Sequence, residues 1–255
     1  LSKDEAVKRD NLETFLNGRS KTLLIDSDSL LYNVVYHHKD KENDFDIMFE
    51  DFYAQVRAIG NYIEGSNFIV EDIIYFFTTC KNNFRKDIYP EYKANRKEQD
   101  KELREMVYKF KDYVIIELES EFQEVVYSDV CEADDLVRGR HDNNSIICSI
   151  DKDLRQIEGA HFDYYKVKTG DVDEFGYDVK DYRGWSYTTK QEGYDLFLKQ
   201  MLIGDVSDNI KGVKGVGKVG ANKIVTGSNF EKLLKVARSY KDMERMRLNV
   251  KLMRL

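Results

Sequence analysis

Two short β-rich runs, Lys-Thr-Leu-Leu-Ile at 21–25 and Ser-Ile-Ile-Cys-Ser-Ile at 145–150, each end on an aspartate, Asp26 and Asp151. Apolar runs without alternation read as strands buried on both faces, a condition met in parallel sheets covered by helices. Residues 72–77 (Asp-Ile-Ile-Tyr-Phe-Phe) and 122–127 share the pattern, and 161–167 carries a weaker version. Residues 29–36 and 45–63 read as helices, the second with Phe49, Phe52, Val56, Ile59 and Ile63 at helical spacing. Another helix starts over 131–138. The expected fold class is α/β, a mainly parallel central sheet flanked by helices. Ligands of such sheets sit beyond the carboxyl ends of the strands, where Asp26 and Asp151 stand.

From about residue 191 the pattern turns helical, and the chain beyond residue 205 reads as a small all-α lobe. The expected division is 1–200 for the α/β domain and 201–255 for the lobe. Residues 81–113 form a charged stretch of helical composition with little apolar periodicity. The spacer between Asp135 and Ser145 is short for a full crossover helix.

Within 255 residues there are 17 Tyr and 14 Phe, enough aromatic bulk for a sizeable core. No run approaches the roughly 18–20 apolar residues of a membrane span. Residues 1–21 lack the apolar core of a signal peptide. Three cysteines (Cys80, Cys131, Cys148) have no zinc spacing and read as reduced thiols, which places the protein in a cytoplasm. The net charge of −7 argues against nucleic acid only until its distribution is considered. Residues 81–111 hold ten Lys/Arg against six Asp/Glu, and residues 205–223 hold four Lys against two Asp. Solvated helix faces explain such runs in many proteins.

The acids are clumped: Asp26 with Asp28, Glu132-Ala133-Asp134-Asp135, Asp151-Lys152-Asp153, and Asp205 with Asp208. Carboxylates crowded together repel, and a divalent cation between them relieves the repulsion. Hard oxygen donors suit Mg²⁺ or Mn²⁺. Helix capping explains one acid in a first turn but not three in four residues.

After Asp208 comes Gly212-Val213-Lys214-Gly215-Val216-Gly217-Lys218. Glycines at this density permit a tight hairpin whose N–H groups face an anion. Lys211, Lys214, Lys218 and Lys223 supply positive charge. In Tyr89-Pro90-Glu91-Tyr92-Lys93-Ala94-Asn95-Arg96, Lys93 and Arg96 fall one helical turn apart. Tyr92 beside them suits stacking on a base. The histidines (His37, His38, His141, His161) have no ligand spacing and read as structural or exposed.

Several of these segments occur in one order in the 5′ nuclease superfamily. They are Ile25-Asp26, Phe84-Arg85, Pro90-Glu91-Tyr92-Lys93-x-Asn95-Arg96, Glu132-Ala133-Asp134-Asp135, Asp151-Lys152-Asp153-Leu154, and Gly204-Asp205 through Gly217. Over residues 21–226 the chain resembles bacteriophage-type flap endonucleases and 5′-3′ exonucleases. The resemblance implies a two-metal phosphodiesterase (two Mg²⁺ or Mn²⁺) acting on branched or 5′-ended DNA, with RNA–DNA primers as a further substrate class. It implies a monomer with no membrane partner, in the host cytoplasm if phage-encoded. Asp26, Glu132 and Asp134 would take one metal site; Asp151, Asp153, Asp205 and Asp208 would take the second, with Asp135 close to both. Lys93 and Arg96, at the base of a helical arch over about 80–120, would be catalytic. Arg85, Tyr92, Lys211, Gly212, Lys214, Gly215, Gly217, Lys218 and Lys223 would contact DNA, the glycines within a helix–hairpin–helix element that in some relatives binds K⁺.

One position departs from the family pattern. An aspartate usually ends the second strand, six residues before Phe-Arg, and Thr78 stands there. That departure motivates an alternative, a DNA-structure-binding homologue with weakened cleavage. Leu24-Ile25-Asp26-Ser27-Asp28 also resembles the nucleophile strand of haloacid-dehalogenase-like phosphatases, a reading that leaves residues 132–135 and the lysine hairpin without a role.

Overall fold

The computed structural model describes residues 20–39, 44–64, 69–80, 83–95, 101–166 and 184–255. Its sheet has the order β3-β2-β1-β4-β5-β6, built from β1 (Ser20–Asp26), β2 (Ile69–Thr78), β3 (Glu124–Ser128), β4 (Ser145–Cys148), β5 (Gly159–Phe162) and β6 (Trp185–Thr188). All neighbours pair parallel except β5 and β6, which are antiparallel. The apolar runs are continuous because both faces are covered. Leu23, Ile25, Tyr75, Phe77, Ile146 and Cys148 join the core on one face, while Leu24, Ile74, Phe76 and Ile147 join the core on the other. Successive residues of a strand point to opposite faces, so neither face can be polar.

Helices α1 (Asp28–His38), α2 (Phe45–Glu64) and α4 (Lys101–Ser120) supply the first core, and α5 (Ala133–Arg140) supplies the second. Eight residues of α5 suffice for the crossover between β3 and β4. The charged stretch proves more regular than its composition suggests. In α4, Val107, Phe110, Val114 and Leu118 form a buried stripe at helical spacing, extending beyond residue 113. Phe122, read as a strand residue, is instead in the turn before β3, with φ 58° and 97% exposure.

The chain leaves β1 toward β2 and β3 on one side, and returns to β4 and β5 on the other. The order of strands therefore reverses between β1 and β4, which opens a crevice at their carboxyl ends. Asp26 closes β1, and Ser149 and Asp151 follow β4.

A third apolar cluster joins Leu198, Met201 and Leu202 of α6 (Lys190–Ile203) to α7 (Lys218–Ile224), α8 (Asn229–Ser239) and α9 (Met243–Met253). Tyr89 and Tyr92, following the short α3 (Phe84–Ile88), belong to the same cluster. Between α6 and α7 lies a two-stranded ribbon, β7 (Gly204–Asp205) with β8 (Ile210–Lys211). Gly204 and the adjoining Gly212 approach so closely that a Cβ on Gly212 would stand 2.4 Å from the Gly204 nitrogen. Only glycine fits either position.

Candidate functional site

Helix α5 begins at the carboxyl end of β3, and its first turn carries Glu132, Asp134 and Asp135. Glu132 caps the helix, and Asp135 returns the bond to the Glu132 N–H. This capping box holds both side chains toward the crevice. Beside them an open cleft is lined by Arg85, Tyr92, Asp134, Asp153, Asp205 and Asp208, with Gln156 and Gln200.

The acids divide by what neutralises them. Arg85 is 2% exposed and forks onto Asp135, with Nη1 to Oδ2 at 2.5 Å and Nη2 to Oδ1 at 2.7 Å. Its Nε donates to the Leu252 carbonyl at 2.9 Å. Lys93 pairs with Glu132, and its Nζ lies 3.9 Å from Asp208 Oδ2. The Tyr92 hydroxyl sits 2.8 Å from both Glu132 Oε2 and Asp208 Oδ2. Burial pushes the Glu132 carboxyl up, but the Lys93 ammonium and the bonds from Lys93 and Tyr92 outweigh it and hold the group below its ordinary value.

Among the described residues, Asp26, Asp134 and Asp153 have no such cation in bonding contact. Burial first, then Asp135 and Glu132, push Asp134 up to about 8. Burial, then the Asp28 charge, push Asp26 up to about 7, even though Ser149 Oγ donates to its Oδ2 at 2.8 Å. Burial, then Asp151, push Asp153 up to about 6. Asp205 is the reverse case: burial raises it, but bonds from Ser207 and the Asp208 N–H bring it below the usual range. Asp151 is exposed, and its Oδ1 accepts from the Asp153 N–H at 2.8 Å.

The stretch after α3 is locked onto the loop between β7 and β8. Lys93 N–H donates to the Asp208 carbonyl at 2.9 Å, Asn95 Nδ2 to the Val206 carbonyl at 2.6 Å, and Asn209 Nδ2 to the Glu91 carbonyl at 2.8 Å. Lys93 and Asn209 both have φ of 59°, so two non-glycine residues accept the left-handed region to make this junction.

These contacts correct several expectations. Tyr92 is 2% exposed and belongs to the lobe core, so its ring has no free face for a base. Arg85 is a buried partner of Asp135 rather than a surface phosphate contact. Among the described residues, no group of three or more carboxylate, histidine or cysteine side chains is arranged to hold a metal ion. Asp134, Asp153, Asp205 and Asp208 line one cleft, while Tyr92 bridges Glu132 and Asp208 and the cations Arg85 and Lys93 pair with Asp135 and Glu132. Gly212 serves the pinch with Gly204, whereas Gly215 (φ 83°) and Gly217 leave open space where a Cβ would stand. Lys211, Lys214, Lys218 and Lys223 are exposed around that turn. Arg96, and residues 81–82 and 96–100 of the expected arch, lie outside the described residues.

Thr78 is held at the end of β2 by three contacts. Its Oγ1 accepts the Ala133 N–H at 3.0 Å, and its own N–H donates to Asp28 Oδ2 at 3.1 Å. Buried Lys111 Nζ donates to the Thr78 carbonyl at 2.7 Å and lies 2.6 Å from Asp28 Oδ1. Asp28 thus brings a carboxylate to the end of β2, already matched by an ammonium. Sequence reasoning missed Lys111, Ser149, Gln156 and Gln200, which are ordinary residues until the fold brings the glutamines to the cleft and sets Lys111 against Asp28 and Ser149 against Asp26.

Residues 21–182 match the family described as 5′-3′ exonuclease, N-terminal resolvase-like domain, and the chain belongs to that family. It is 27% identical over 223 residues to DNA polymerase I of Caldicellulosiruptor bescii, an alignment covering 80% of this chain and 24% of the relative. The chain thus spans about a quarter of that polymerase, which the 24% coverage states directly. It is 24% identical over 211 residues to a 5′-3′ exonuclease of Buchnera aphidicola, covering 76% of this chain and 66% of the relative. In fold it is similar to the T5 D15 protein co-crystallized with metal ions, with TM-score 0.61, 17% identity, and coverage of 91% of this chain and 88% of that one. No helix among the described residues is long and apolar enough to cross a membrane.

Proposed function

We propose that this chain is a divalent-metal-dependent, structure-specific 5′ nuclease that hydrolyses phosphodiesters in branched or 5′-ended DNA. The observation that carries the reading is the cleft at the β1/β4 reversal. Asp134 and Asp153 line it and Asp26 ends β1; the three are pushed up to about 8, 6 and 7, chiefly by burial. Acids buried at such cost, next to an exposed lysine turn, suit a site that gains cations and a polyanion together. The donor set is all oxygen and fits hard divalent cations. Asp26, Glu132 and Asp134 would hold one, and Asp151, Asp153, Asp205 and Asp208 the other. Cations there would make water a better nucleophile at neutral pH and neutralise charge on the phosphate.

The chain's own residues do the rest. Lys93, set by its bond to the Asp208 backbone, carries the ammonium that would transfer from Glu132 to a phosphate oxygen entering the cleft. Tyr92 holds Glu132 and Asp208 at a fixed spacing. Asp135 fixes Arg85 and the first turn of α5. Lys211, Lys214, Lys218 and Lys223 would grip duplex backbone through charge.

A second reading, a binding homologue with weakened cleavage, is favoured by Thr78 and by the protein cations lying among the acids. The family match leaves the phosphatase reading without support. Purified protein incubated with 5′-flap DNA and either Mg²⁺ or Mn²⁺ separates the two surviving readings. Cleavage at the branch is the expected result. Intact DNA that is nonetheless bound would establish the binding homologue.

A further inference from the structure

Gln200 of α6 donates from Nε2 to Asp153 Oδ1 at 2.5 Å. Its other end, Oε1, accepts from Gln156 Nε2 at 2.7 Å. Gln156 is itself fixed twice: Nε2 also donates to the Met253 carbonyl at 2.8 Å, and Oε1 accepts the Leu255 N–H at 3.2 Å. Both glutamines line the same cleft as Asp153.

The direction of these bonds matters. A glutamine amide has a donor end and an acceptor end that are nearly the same shape, so its orientation is decided by its partners. Backbone groups at the end of α9 orient Gln156, and Gln156 presents a donor to Gln200 Oε1. Gln200 is then left with its donor end facing Asp153. Turned over, it would set an oxygen against a carboxylate oxygen. The relay therefore anchors Asp153 Oδ1 amid the neighbouring Asp151, Asp205 and Asp208 charges.

We propose that Gln200, oriented by Gln156, is a positioning residue for Asp153 and raises the affinity of that side of the cleft for a divalent cation. The inference rests on the metal-binding part of the proposed function and deepens it by naming what tunes that site. Removing an outer partner of a metal-binding carboxylate weakens affinity by about 10- to 100-fold where such partners have been tested.

The test is Mn²⁺ titration of the whole chain without DNA, read by electron paramagnetic resonance of free Mn²⁺, on wild type, Gln200→Leu, Gln156→Leu and the double variant. Gln200→Leu should weaken one class of Mn²⁺ site by about tenfold while the melting temperature of the metal-free protein stays close to wild type. Gln156→Leu should weaken the same class less, because Gln200 keeps its donor but loses its orientation. The double variant should match Gln200→Leu alone, since the two act through one bond. If Gln200→Leu does not fold, Gln200→Asn replaces it, keeping the amide but one methylene short of Asp153. Unchanged Mn²⁺ affinity in the Gln200 variant overturns the inference, and so do fully additive losses. Wild type that binds Mn²⁺ yet leaves flap DNA intact would overturn the nuclease reading and not this one. Wild type that binds no Mn²⁺ would overturn both.

Discussion

Glu132 and Asp134 stand two residues apart at the start of one helix, yet their surroundings drive them in opposite directions. Glu132 meets an ammonium and a phenol and is held below its ordinary value. Asp134 meets burial and two like charges and is pushed up to about 8. The contrast extends across the cleft. Asp135, Glu132 and Asp208 have Arg85, Lys93 and Tyr92, while among the described residues Asp26, Asp134 and Asp153 have no cation in bonding contact. The lesson is that the fold partners three of its clustered acids internally and leaves three others without a cation of their own. A bound cation gains most on that deficient set.

The largest expected effect comes from removing a cation of the partnered set. Lys93→Ala should lower single-turnover cleavage of a 5′ flap by about 10²–10³, as loss of one charge-stabilising donor does elsewhere. Binding of the same DNA in Ca²⁺ should change far less. Equal losses in rate and affinity would show that Lys93 only holds DNA. Arg85→Met strands Asp135 and should cost about 3–5 kcal/mol in urea unfolding, the penalty for a buried charge without its partner. A variant that keeps its stability but loses salt dependence of DNA binding would instead return Arg85 to the DNA interface.

The deficient set is sharpened by pH. Asp134, Asp26 and Asp153 have folded values of about 8, 7 and 6, above the ordinary 3.8 of the unfolded chain. The folded state keeps protons that the unfolded state gives up, so their contribution is intact below about pH 4 and is lost as pH rises toward 8. Glu132 and Asp205 are lowered and act in the opposite sense, losing stability as pH falls through their folded values. Metal-free protein should therefore melt at lower temperature at pH 8 than at pH 5. Asp134→Asn should remove part of that decline, and Mg²⁺ should raise the melting temperature more at pH 8 than at pH 5. A metal-free protein more stable at pH 8 than at pH 5 would refute the division. The smallest effect belongs to the exposed turn. Lys214→Ala should weaken duplex binding a few-fold and reduce the salt slope by about one, with cleavage of bound substrate unchanged.

The sheet was legible because its strands are buried on both faces. That condition leaves continuous runs such as 21–25 and 145–150, and places Asp26 and Asp151 at their ends. The clustering of the acids was legible for the same reason. Their partners were not. Arg85 reaches Asp135 across 50 positions, and Tyr92 reaches Asp208 across 116. Nothing local distinguishes a tyrosine that stacks on a base from one whose hydroxyl ties two carboxylates. The stripe in α4 was masked because its polar faces carry so many charges, and its apolar positions begin only at Leu103 and Met106. Gln200 carries no signal at all until α6 is laid beside Asp153.

The pinch between Gly204 and Gly212 bears on distance. Asp205, in the acid cleft, and Lys211, on the basic turn, each adjoin a glycine of that pair. The interval between where DNA would be gripped and where it would be cut is thus set by main chain against main chain, like the fixed jaw of a gauge. Side-chain changes on either surface could retune strength without moving the mark. Gly212→Ala would force the jaw open, and a broadened ladder of product lengths is how the slip would be seen.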